Sequence, residues 1–355
     1  MADNNYYNTF NESLIIKLMD TLDRLPMFCR DYFVGIEMRT SALTRLNYAS
    51  DFCVFFHYLT TKCSAFKGKE VELLVLEDLN AVTARDIEYY LAYLSYYKMG
   101  DKVFKNKERA KARKLSAVRS LFKYLYNKDL INENVTSKVA TPKLHDKEII
   151  RLDSDEVQTM LNNVESAKKF ASARQDAYNL HTRSRDIAIV TLLLGTGIRV
   201  SECVGLNVTD INLKDNSFLV TRKGGNQSIL YFNHEVSEAI ADYLPDRKER
   251  LNRQEILDEQ ALFISLQNKR ISVRAVENLV KKYARTATPL KTISPHKLRS
   301  TFGTDLYKNT KDIYVVAEVL GHKDVNTTKK HYAAISEDIK RAASKKVTLR
   351  DDIED

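Results

Sequence analysis

The sequence predicts a mainly α-helical chain in two domains, with one small antiparallel β-sheet in the second. Three observations carry this expectation. Glycine and proline are scarce, 10 and 5 among 355 residues, so little interrupts helices. Apolar residues recur at helical spacing through most of the chain. Only the stretch 211–233 alternates with a period of two around turn residues. The length fits two domains, each able to bury its own core.

Residues 1–13, within "MADNNYYNTFNESL", are polar and are expected to form a loosely attached leader. From 14 to 138 the chain reads as about four long amphipathic helices. In "SALTRLNYASDFCVFFHYL" (41–59) Leu43, Leu46, Phe52, Phe55, Phe56 and Leu59 are expected to face a core. "TARDIEYYLAYLSYY" (83–97) opens on a threonine cap signal. In "RKLSAVRSLFKYLYNKDL" (113–130) the buried side is Leu115, Val118, Leu121, Phe122 and Leu125. Residues 139–152 contain Pro142, show no clear period, and are expected to be the linker. "DSDEV" from 153 supplies a cap and an acidic first turn for the next helix.

The second domain, 153–336, opens with helices. "SRDIAIVTLLLGTGIRVSECVGL" (184–206) reads as a buried helix, a break at Gly195 and Gly197, and a second helix. "INLKDNSFLVT" and "QSILYFN" alternate, with turns at "KDN" and "KGGN", giving a sheet of about three strands. Helices resume from 234. The tail 337–355 begins as a short helix with Ile339, Ala342 and Ala343 on one side.

The formal net charge is +9 and the pI near 9.1. Such a balance favours polyanionic partners, nucleic acid before membrane. Residues 98–128 hold eleven Lys or Arg against Asp101 and Glu108. These cations are divided between a loop and a helix face, a stripe suited to tracking phosphates. The four cysteines include no CxxC pair, so neither a zinc site nor a redox motif is indicated. Asp210 and Asp215 do not make a metal pair, and no metal or cofactor is expected. No signal peptide or membrane-length apolar run is present, so a cytoplasmic protein is expected.

Five short stretches carry chemistry. "GTGIRVSE" (195–202) presents Arg199 just past a tight glycine turn. "TRKGGNQS" (221–228) presents Lys223 in a hairpin turn. "PHKLRSTF" (295–302) places His296 and Arg299 one turn apart. They sit at the start of a helix that Ser294 can cap, with Pro295 at its first position. There the helix dipole favours an anion. In "LGHKDVNTT" (320–328) Gly321 can end a helix and hold His322 outside it. "KKHYAAIS" (329–336) carries Tyr332.

In order and spacing these stretches resemble the Arg, Lys, His-x-x-Arg, His and Tyr motifs of the tyrosine recombinases. The likeness is strong over 150–335 and weaker over 30–135. It implies an N-terminal helical core-binding (SAM-like) domain and a C-terminal tyrosine-recombinase catalytic domain. It also implies that Arg199, Lys223, His296, Arg299 and His322 surround a scissile phosphate while Tyr332 attacks it. The physical demands agree. Cleaving a phosphodiester without a metal requires fixed cations and hydrogen bonds around the transition state. Arginine forks match phosphate oxygens bidentately. His296 can assist removal of the phenolic proton. A phosphotyrosine conserves the bond for rejoining, so no ATP is needed. Lys223 can protonate the departing 5′-oxygen, and Glu202 is spaced to orient Arg199.

By the same resemblance Thr44, Arg45 and Tyr48 match one DNA-facing helix of the first domain, and Lys114, Arg119 and Lys123 a second. Two domains joined by a linker imply a clamp around duplex DNA. The tail resembles a terminal helix that docks into a neighbouring subunit. The length, the helical leader before residue 30 and phrases such as "LEDLNAVTARDIEYYL" (76–91) are similar to the single-recombinase, XerS-like branch of the Xer proteins. That branch implies a homotetramer on two pseudo-palindromic duplex sites, exchange through a Holliday junction, chromosome dimer resolution, a nucleoid location and control by the FtsK translocase. The alternatives are a mobile-element integrase or transposase with the same chemistry, a type IB topoisomerase, and a non-catalytic DNA-binding regulator.

Overall fold

The computed structural model describes residues 5–144, 150–166, 173–222, 225–253, 260–322 and 324–325. Packing divides the chain into two units, Met1–Lys147 and Glu148–Asp355.

The first unit contains α1 (Asn5–Leu22), α2 (Phe28–Ile36), α3 (Ala42–Lys62), the single turn α4 (Leu76–Leu79) and α5 (Ala84–Tyr93). A two-stranded hairpin follows, β1 (Tyr97–Met99) and β2 (Lys102–Phe104), and then α6 (Glu108–Tyr126). Local chemistry sets the helix starts. Ser41 Oγ accepts the Thr44 N–H at 3.3 Å and opens α3. At α5, Thr83 Oγ1 accepts the Asp86 N–H at 3.2 Å, and the Asp86 carboxylate accepts the Thr83 N–H at 2.8 Å. This reciprocal pair satisfies two otherwise orphaned donors. The core is strongly aromatic. Phe52, Phe55, Phe56 and Leu59 of α3 meet Tyr90 of α5 and Leu115, Val118, Leu121, Phe122 and Leu125 of α6.

Helix α1 begins at Asn5, inside the stretch 1–13 expected to be the leader; residues 8–12 are exposed and the first buried side chain is Leu14. Two expectations are corrected in this unit. Leu43 is exposed, because the apolar face of α3 starts only with its second turn. The basic loop after α5 contains a β-hairpin. Gly100 takes φ +58, a turn conformation that glycine adopts without a Cβ penalty. Tyr97 then pairs with Phe104 across the strands, rings stacked at 5.0 Å. With three residues per strand, no alternation is long enough to see in the sequence.

The second unit begins with α7 (Ser154–Glu165), where Asp153 N–H is accepted by Glu156 Oε2 at 2.8 Å. Then come α8 (Ala173–Thr196) and α9 (Val200–Gly205). An antiparallel sheet follows, in the order β3 (Ile211–Asn212), β4 (Ser217–Thr221) and β5 (Gln227–Tyr231). Phe218 lies opposite Leu230, and Leu219 opposite Ile229. The chain continues as α10 (His234–Arg253), α11 (Val273–Ala287), α12 (Pro295–Thr310) and α13 (Ile313–Leu320). The C-terminal half of α8, with Ala188, Ile189, Leu192 and Leu193 fully buried, runs through the middle and packs on α7, α10 and α12.

The break between α8 and α9 falls at Gly197 alone. Gly197 has φ +61, and a Cβ there would lie 2.3 Å from a Phe302 ring carbon. Gly195 stays inside α8, and its lack of a side chain admits Val236, whose Cγ2 would be 2.5 Å from a Cβ. Gly197→Ala therefore combines left-handed strain with a clash against an aromatic ring. It is expected to destabilise the second unit by about 2–4 kcal/mol, read as a shifted denaturation midpoint.

Candidate active site

The site is built around the C-terminal end of α13. Gly321 follows this helix with φ +60, and its N–H bonds the Glu318 carbonyl at 2.8 Å. The His322 N–H bonds the Ala317 carbonyl at 2.9 Å. This glycine stop, expected from the sequence, holds His322 just past the helix. His322 is half-buried.

Three arginines from different elements meet the last carbonyls of α13. Arg299, on the first turn of α12, is 4% exposed. Its Nη1 donates to the Gly197 carbonyl at 2.7 Å and its Nη2 to the Leu320 carbonyl. Arg199, at the start of α9, donates to the Gly321 carbonyl at 3.3 Å. Arg222, immediately after β4, donates to the Leu320 and Val319 carbonyls, both at 3.0 Å. Cations favour a helix C-terminus, where the orphan carbonyls and the dipole are negative.

Glu202 sets the posture of Arg199. One carboxylate oxygen accepts the Arg199 backbone N–H at 2.9 Å, and the other accepts Nη1 at 2.7 Å. Glu202 is 2% exposed. A buried carboxylate bonded twice to one residue fixes the rotamer of that residue. The orienting role expected from the three-residue spacing thus has matching geometry.

His296 lies exposed on α12 while Arg299 turns inward, so the two open the same helix at different depths. Pro295 occupies the first helical position as expected. Ser294 stands at the cap position but makes no side-chain cap bond; its carbonyl instead accepts the Lys297 and Leu298 N–H groups at 2.8 and 3.1 Å. Lys223 and Tyr332 lie outside the described residues, as do residues 145–149 of the expected linker and the tail 337–355. Nothing in the sequence around Arg222 signals that its side chain reaches α13, because the carbonyls it meets lie almost 100 residues further on.

In the first unit the six expected DNA-facing residues separate. Thr44 and Tyr48 are half-buried and Lys123 is exposed. The fold itself engages the other three. Arg45 is 6% exposed, pairs with the Glu37 carboxylate at 3.0 Å and donates to the Glu37 carbonyl at 3.1 Å. Lys114 is 7% exposed and pairs with Asp51 at 2.8 Å. Arg119 donates to the Thr136 carbonyl at 3.3 Å, to Thr141 Oγ1 at 2.6 Å and to the Val139 carbonyl. Exposed cations remain along the hairpin and the start of α6, at Lys98, Lys102, Lys105, Lys107, Arg109 and Arg113.

Among the described residues no group of three or more His, Cys, Asp or Glu could hold a metal ion. No described helix is long and apolar enough to cross a membrane.

Residues 150–338 match the model of the phage integrase family. The chain belongs to this family; it is a tyrosine recombinase, an enzyme that cleaves and rejoins DNA in site-specific recombination. Within the family it is Xer-like. It is 33% identical to the tyrosine recombinase XerC of Caldanaerobacter subterraneus subsp. tengcongensis, over 89% of this chain and 84% of that protein. It is 29% identical to the tyrosine recombinase XerS of Streptococcus equi subsp. zooepidemicus (strain MGCS10565), over 94% of this chain and 98% of that one. The fold resembles XerH recombinase bound to palindromic difH substrate in a post-cleavage complex. The TM-score is 0.65 at 18% identity, over 86% of this chain and 80% of that chain.

Proposed function

We propose that this recombinase resolves chromosome dimers by cutting a pseudo-palindromic duplex site through a 3′-phosphotyrosine at Tyr332. The observation that carries the catalytic reading is the convergence of Arg199, braced by Glu202, and Arg299 on the helix end that holds His322. Two guanidinium groups fixed by carbonyls and a buried carboxylate form a preorganised cationic cradle, which is what a phosphoryl transition state requires. His296 and His322 add donors. The Tyr332 oxygen attacks phosphorus, and the bond to the 5′-oxygen breaks. Lys223 supplies the proton which that oxygen takes up. The free 5′-hydroxyl of a partner strand then reverses the step, passing through a Holliday junction.

The chromosomal role is supported by likeness to XerS along nearly the whole of both chains. The working unit in this reading is a homotetramer on two sites in the cytoplasm at the nucleoid, with the tail docked on a neighbour and FtsK as regulator. The first domain, 14–138, reaches DNA with Thr44, Tyr48, Lys123 and the exposed cations of the hairpin. The catalytic domain spans 153–336 beyond a linker at 139–152.

Covalent capture tests this. The protein is mixed with fragmented genomic DNA carrying random nicks and washed in denaturant, and the retained DNA is sequenced, with Tyr332→Phe in parallel. Adducts are expected at one recurrent palindrome-like site and are expected to vanish in the phenylalanine variant. Scattered adducts would identify a topoisomerase, and adducts that survive in Tyr332→Phe would exclude Tyr332 as nucleophile.

A further inference from the structure

We propose that Arg222 is a positioning residue that ties the root of the β4–β5 hairpin to the last turn of α13 and thereby holds His322 in place. The proposal rests on the catalytic reading above only where it concerns His322 in the reaction. The tie itself is a matter of geometry. The Arg222 backbone is fixed at the hairpin root, its N–H bonding the Asn226 carbonyl at 2.7 Å and its carbonyl accepting the Gly225 N–H at 3.0 Å. Its side chain then crosses to α13 and donates one nitrogen each to the Leu320 and Val319 carbonyls. Both ends are held, so the residue works as a strut.

Two further observations show that the local structure is shaped around this guanidinium. A Cβ on Gly321 would lie 2.5 Å from Arg222 Nη1, so only glycine admits the side chain so close to the helix end. The Arg222 Nε–H is buried and has no partner among the described residues. A buried donor is costly to leave unpaired, so the two carbonyl bonds are what hold this cation here. Burial lowers the pKa of Arg222, Glu202 raises it in opposition, and Arg199 lowers it. An arginine stays charged under such pressures.

The arrangement also divides the labour among the three arginines. In the catalytic reading Arg199 and Arg299 meet the phosphate from where Glu202 and the carbonyls hold them. Arg222 meets no phosphate in this reading; among the described residues its side chain bonds the Leu320 and Val319 carbonyls. A lysine at 222 could place a single charge there but could not span two carbonyls with a planar fork.

The test uses the full-length protein, with Arg222→Ala and Arg222→Lys. Amide hydrogen exchange is followed at Gly321 and His322 and along α8. Single-turnover adduct formation is measured on the duplex recovered by covalent capture, over a range of protein concentrations. In Arg222→Ala the two amides are expected to exchange about tenfold faster while α8 is unchanged. The saturating cleavage rate is expected to fall about tenfold with half-saturation unchanged, and Arg222→Lys is expected to recover part of both. Wild-type exchange at Gly321 and His322 in Arg222→Ala would overturn the tie, and so would equally accelerated exchange along α8. Accelerated local exchange with a wild-type cleavage rate would overturn the link to catalysis. A wild type that forms no adduct defeats the catalytic reading instead, and the exchange data still decide the tie.

Discussion

Arg299→Ala is expected to lower the rate of covalent adduct formation by about 10³-fold while retention on the same duplex changes little. Arg299 lies deeper than Arg199, and its nitrogens bond carbonyls from two separate segments, Gly197 and Leu320. A donor held that rigidly needs no reorganisation as charge develops. Loss of one such donor typically costs about 10²–10³ in rate, and a charged forked donor lies at the upper end. The substitution also unties the α8–α9 junction from the end of α13. Arg299→Lys separates the two contributions: it keeps a cation but loses the fork, and about a 10²-fold loss is expected. Single-turnover cleavage with protein in excess reads the effect, and a filter-binding titration checks retention. Near wild-type cleavage by Arg299→Ala would remove this arginine from the reaction.

Much of this site was legible in the sequence because its parts are governed by local rules. Pro295 at a first helical position, Gly321 as a left-handed helix stop and Glu202 three residues beyond Arg199 each follow from chemistry within four residues. The buried face of α6 was equally plain, since all five expected apolar positions keep one period and all five are buried. The engagement of Lys114 and Arg119 by the fold has a different origin. Whether these two face solvent is decided by partners far along the chain. Asp51 lies 63 residues before Lys114, and the carbonyls that take Arg119 lie 17 and 20 residues beyond it. A basic stripe therefore announces charge without announcing direction. Arg222 and Lys223 show the same limit at the active site, because the inward arginine is recognised only by carbonyls almost 100 residues away.

At Asp51 that long-range pairing has a large energetic consequence. Its carboxylate is 1% exposed, bonds Arg113 Nη2 and Lys114 Nζ at 2.8 Å each, and also meets Arg113 Nη1. The Arg113 side chain is half exposed and can turn to water if the acid is lost. Lys114 cannot, because its side chain is 9% exposed on the inner side of α6. Asp51→Ala thus leaves an ammonium buried without its counter-charge. Breaking a buried pair from one side costs about 3–5 kcal/mol. For a unit of this size that is a fall of about 10 °C in melting temperature. Adding Lys114→Met to Asp51→Ala removes the stranded charge while keeping an apolar stem of similar length, and most of the loss is expected to return. The same pair of variants tests the placement of Lys114 in function. If its charge serves the fold, the double variant binds DNA like wild type, whereas Lys123→Ala weakens binding and flattens its salt dependence. If Lys114 touched phosphate, the double variant would lose affinity although its stability had recovered.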